Sequence, residues 1–104
     1  MLITNTEEIP GKSITSCYGV VSGSTVRTKH VGRDIMAGLK NLVGGELVGY
    51  TQLLSEARDE AMERMKQQAI QLGANAVVNV RFSTSSVTAG ASEIYIYGTA
   101  VSVV

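Results

Sequence analysis

The chain has 104 residues, nine basic and nine acidic side chains, and one cysteine. That length gives one domain, residues 1–104, around one core. Zero net charge leaves no basic excess for a nucleic-acid partner and no self-repulsion to keep copies apart.

A lone cysteine makes no intrachain disulfide. No run reaches the roughly 18 apolar residues of a membrane span. The first residues, MLITNTEEIPG, lack the basic and apolar regions of a signal peptide. These features read as a cytoplasmic protein with no membrane contact. With four Tyr, one Phe and no Trp, small and aliphatic side chains must fill the core.

In chain order, Leu2 to Thr4 predicts a short edge strand, and Thr6 to Gly11 a turn punctuated by Pro10-Gly11. Ser13 to Arg27 is rich in Val, Ile, Thr and Tyr and predicts one long, bent strand. Gly19 and Gly23 within it mark a bulge or a close approach. Val31, Ile35, Leu39 and Leu42 predict a shorter helix over His30 to Val43, ended by Gly44-Gly45.

Thr51 to Gly73 predicts the long helix, with Thr51 as N-cap and Gly73 as its stop. Leu54, Ala57, Ala61, Met65, Ala69 and Leu72 recur three and four apart and form its apolar stripe. Ile70 projects from the other side. Gln68 near the middle of the stripe and Arg64 on its flank are polar groups that need partners, across a subunit interface for example. Ala74 to Ser86 predicts a strand with Ala76, Val78, Val80 and Phe82 on one face. Ser83 to Ser92 reads as a loop around Gly90. Glu93 to Val104 predicts the last strand, paired with its predecessor as an antiparallel hairpin.

This order, β-α-α-β-β, predicts an α+β fold: an antiparallel sheet of three to four strands with two helices on one face. In the last strand Ile94 and Ile96 point one way, and Tyr95, Tyr97, Val101 and Val103 the other. A sheet apolar on both sides, with helices for one side, needs a second cover. Another copy of the chain is the simplest cover, so a homo-oligomer is predicted.

Four stretches carry a resemblance: GLKNLVGGEL (Gly38 to Leu47), YTQLLSEARDEAMERM (Tyr50 to Met65), LGANAVVNVRF (Leu72 to Phe82) and IYGTAV (Ile96 to Val101). In this order they resemble the YbjQ-like family, small uncharacterised bacterial and archaeal proteins described as a heavy-metal-binding domain. The resemblance implies an α+β protomer that assembles as a pentamer, with a heavy-metal ion as its cofactor.

Soft metal ions take thiolate or thioether ligands, and borderline ions take imidazole as well. The chain offers Cys17, His30 and four methionines, with no CxxC or HxxxH spacing. A ring of five copies would bring five equivalents of Cys17 or His30 around one axis and make a metal site without a motif. The ordinary readings are a small buried strand residue for Cys17 and a capping or surface residue for His30. Met62 and Met65, one turn apart, could hold Cu(I), but core filling explains them.

Gly19 to Thr25 is Gly-rich but lacks the lysine and the glycine spacing of a P-loop. Glu56, Asp59, Glu60 and Glu63 read as a solvated helix surface. Cys17 and His30 lie thirteen positions apart with nothing to orient either, so no catalytic pair is predicted and the chain reads as a non-enzyme. The function that follows is a homo-oligomeric binding protein. The alternatives are a metal-free structural or partner-binding assembly, and a carrier with a small molecule held between subunits.

Overall fold

The computed structural model describes residues 1–28, 48–88 and 90–104. The helix predicted over 30–43, its end at Gly44-Gly45, and His30 lie outside the described residues. The elements are β1 (Leu2–Ile3), β2 (Ile14–Thr28), α1 (Val48–Gln71), β3 (Ala76–Thr88) and β4 (Ala91–Val103).

The strands form one sheet in the order β1-β3-β4-β2. The β2–β4 and β3–β4 pairs are antiparallel, but β1 runs parallel to β3. The predicted antiparallel sheet with two helices, β-α-α-β-β, is thereby corrected: the described residues hold one helix and a four-stranded mixed sheet. A two-residue strand has no side-chain pattern of its own. Its direction is set by a partner more than seventy positions away, and no local signal reports it.

α1 forms because its apolar residues repeat at helical spacing, and it packs chiefly on β2. Ala57, Ala61, Met65 and Ala69 are fully buried. Leu72 is exposed, one residue beyond the helix, and Ile70 is exposed on the far side as predicted. The helix starts at Val48, so Thr51 lies inside it rather than at its cap. Its C-terminus closes as the glycine predicts. Gly73 takes φ +89°, its N–H donates to the Ile70 carbonyl at 3.0 Å, and Ala74 N–H donates to the Ala69 carbonyl at 3.1 Å. This is a Schellman closure, which satisfies carbonyls the helix leaves unpaired.

β2 is one long strand with irregularities at Ile14/Ser16 and Cys17/Gly19. Its two interior glycines do different things. Gly19 adopts φ +96° at the bulge. Gly23 lies against the helix backbone: a Cβ there would sit 2.1 Å from the Ala61 carbonyl oxygen and 2.7 Å from the Met65 nitrogen. Alanines on one side and glycine on the other let helix and strand touch main chain to main chain.

β3 changes face part-way. Its pairing with β4 shifts between Val78 and Arg81, and Asn79 adopts φ 54°. Val77 and Val80 therefore both join the cluster under α1, with Val21, Ile94, Ile96 and Ala100. Ala76 and Val78 lie in a second cluster with Ile9, Val101 and Val103. The predicted single face of Ala76, Val78, Val80 and Phe82 is corrected by this bulge, because one inserted residue resets the alternation. Strand continues to Thr88 and resumes at Ala91, so the loop predicted over Ser83 to Ser92 is mostly hairpin arm, turning at Gly90 with φ +80°.

The three long strands stretch the molecule to 52 × 25 × 17 Å, with a radius of gyration of 16.9 Å. A compact chain of this length has about 13 Å.

Candidate functional site

The sheet face away from α1 has two halves. At one end Ile9, in the segment after β1, covers Ala76, Val78, Val101 and Val103. The segment is pinned to β3: Val80 N–H donates to the Thr4 carbonyl at 3.1 Å, and Asn79 N–H to that of Thr6 at 3.0 Å. Part of the predicted second cover is therefore supplied by the chain itself. At the other end, side chains of β2 and β4 lie open. Val20 is 71% exposed, Val26 52% and Tyr97 38%. Tyr95 and Tyr97 stack with ring centroids 5.5 Å apart.

Cys17 pairs across strands with Val101 and so belongs to this same face. Its thiol is exposed, where the ordinary reading predicts a buried residue; the bulge at Cys17/Gly19 lies on a strand that, among the described residues, has no neighbour beyond it. His30 falls outside the described residues, so the two predicted ligands are not brought together here. Met65 is fully buried and Met62 packs at the margin of the core, as core fillers do. Among the described residues, no three His, Cys, Asp or Glu side chains gather as a metal site. The described donor set of one protomer therefore does not fit a soft or borderline ion. Cys17 is its single exposed thiol.

Gly19 to Thr25 is strand pressed against α1, not a loop opening a helix, so it forms no phosphate cradle. Glu56, Asp59 and Glu63 are exposed, as a solvated surface predicts. Glu60 does more. One carboxylate oxygen pairs with Arg64 at 2.6 Å and the other with Arg27. Arg64 Nη1 also donates to the Ser24 carbonyl at 2.5 Å, and Gln68 Oε1 accepts from Ser22 N–H at 2.7 Å. Both polar residues of the helix thus find partners inside their own chain. The Glu60–Arg64 pair is readable from its i,i+4 spacing. Sequence reasoning misses the Ser22 and Ser24 contacts, because those partners are main-chain groups, which carry no residue signature. It also misses Val20 and Val26, whose face becomes readable only once the bulge at Gly19 is placed. A shallow trough lined by Ser22, Glu60, Glu63, Arg64, Gln67 and Gln68 runs between α1 and the outer edge of β2.

A family model described as "Putative heavy-metal-binding" matches residues 1–104 of the chain. The chain belongs to the YbjQ family. Among similar members, a UPF0145 protein of Hahella chejuensis is 70% identical over 101 residues, covering 97% of each chain. A UPF0145 protein of Methanoculleus marisnigri is 60% identical, covering all of this chain and 97% of that one. The fold is similar to the crystal structure of a protein with unknown function, of the DUF74 family, from Pediococcus pentosaceus. There the TM-score is 0.66 at 18% identity, over 100% of this chain and 98% of that one. The YbjQ family thus comes with a heavy-metal-binding description. No helix among the described residues is long and apolar enough to cross a membrane.

Proposed function

We propose that this YbjQ-family chain is a cytoplasmic homo-oligomeric binding protein rather than an enzyme, pentameric as the resemblance implies, and that copies of the chain together hold a heavy-metal ion. The observation that carries this reading is the half-open sheet face. Val20, Val26 and Tyr97 are exposed there on the face that also carries the accessible thiol of Cys17. Burying such a face stabilises an assembly at roughly 25 cal/mol per Å² of apolar area. Since the described donors of one protomer do not make a site, the ion would take Cys17 from several copies, with His30 as a further donor.

Native mass spectrometry of untagged protein, titrated with Zn(II) and Cu(I), tests both parts. The expected result is a multi-chain ion that gains metal in fixed ratio and loses the gain in Cys17→Ser. A single-chain ion would remove the assembly. A multi-chain ion that gains no metal would leave a metal-free assembly, the reading favoured by the stacked Tyr95–Tyr97 pair as a partner surface.

A further inference from the structure

Among the described residues β2 is the last strand of the sheet, and one of its sides has no strand neighbour there. Two of its outward groups are nevertheless occupied. Gln68 accepts from Ser22 N–H and Arg64 donates to the Ser24 carbonyl. An acceptor and a donor offered two residues apart are what a neighbouring strand would present. Arg64 is itself braced by Glu60, and Glu60 by Arg27. The two side chains reach the strand edge because Gly23 lets the helix backbone come into contact there. They stand in the trough where an added strand would lie.

The opposite side of the sheet is different. β1 accompanies β3 only at Ala76 and Val77, and the residues after it reach as far as Val80. Arg81 extends its side chain to the Asn5 carbonyl at 2.9 Å. Beyond it, among the described residues, no main-chain partner lies on the outer side of Phe82–Thr88. These residues, FSTSSVT, are all exposed and carry no charge, Gly or Pro. Apart from the irregularity at Ser86/Thr88, the segment lacks the charges and proline that natural edges use against strand addition. The alternation of pairing shows which groups point out. Ser22 and Ser24 turn away from β4, so Gly23 turns towards Ile96. Tyr95 then turns towards Ser83, and Thr84 turns its N–H outward.

We propose that Arg64 and Gln68 lock the β2 edge against one particular strand, the β3 edge Phe82–Thr88 of a second copy of this chain. Contact between the β3 edge of one copy and the β2 edge of the next is heterologous. Unless its rotation closed a ring, each added copy would bring a new open edge, and the sheet would continue from chain to chain. The lock shuts one of the two edges and ends that series, while the sheet face remains free for the closed assembly proposed above.

The test is an Arg64→Ala/Gln68→Ala double variant, followed by light scattering over a concentration series and by circular dichroism. The expected weight-average mass is about twofold or more above that of the unmodified protein and rises with concentration. Adding Thr84→Pro to the same chain removes an outward N–H and returns the mass to the unmodified value. A double variant with a native spectrum and unchanged mass overturns the lock. Growth that persists with Thr84→Pro overturns the assignment of β3 as the added strand. If the double variant does not fold, Gln68→Ala is read instead by hydrogen exchange at the Ser22 amide. Exchange about tenfold faster in dilute solution, slowing again on concentration, supports the lock. An amide that stays slow when dilute, or fast at every concentration, overturns it.

Discussion

Gly23 is where a single missing methyl group sets the position of the helix. A Cβ there would sit 2.1 Å from the Ala61 carbonyl oxygen, a backbone atom that cannot swing aside. Gly23→Ala must push α1 off the sheet, at a cost of about 2–3 kcal/mol. Thermal unfolding should then show Tm lower by roughly 8–20 °C; an unchanged Tm would mean that helix and strand are not in contact there. Asn79 has the opposite problem, since its φ of 54° penalises a side chain rather than space. Asn79→Val should cost about 1–2 kcal/mol, because a β-branched residue resists the left-handed region. Asn79→Gly should stay within about 0.5 kcal/mol of the original. Urea midpoints of the two variants would separate a conformational requirement from a lost side-chain contact.

At the scale of elements, α1 serves two surfaces. Its alanine and methionine stripe buries the Ile94–Ile96 side of the sheet. Its Glu60, Arg64 and Gln68 row reaches the β2 edge. The helix and its stripe are legible in the sequence, because four-residue spacing of Ala57, Ala61, Met65 and Ala69 is a local signal. So is its stop at Gly73. The bend in β2 is legible as well, since glycine in a strand has few other uses. The face of Val80 is not. It depends on one inserted residue at Asn79, and the alternation of Ala76, Val78 and Val80 looks unbroken until pairing with β4 shows the shift. The main-chain partners of Arg64 and Gln68 on β2 are equally hidden, for a helix projection shows that a polar group needs a partner without naming it.

For the whole molecule, the exposed half of the sheet makes the testable statement. Val20 is 71% exposed and Val26 52%. Lysine at either position should leave the protomer within about 0.5 kcal/mol of its original stability. In the assembly those positions would be buried, and an unpaired charge there is strongly unfavourable. Val20→Lys/Val26→Lys should therefore run as a single chain in light scattering while its circular dichroism stays native. An unchanged oligomer would move the subunit contact to another surface. By itself the sequence determined the long helix and its buried stripe, the long strands, and membership of the YbjQ family, because helical period, strand composition and shared motifs are written in neighbouring residues. Only the tertiary structure decided that β1 runs parallel to β3, that Ile9 closes one end of the second face, that Cys17 is exposed, and that Arg64 and Gln68 cap the edge of β2. Each of these depends on main-chain groups or side chains distant in the chain, and such pairings have no local periodicity from which to read them.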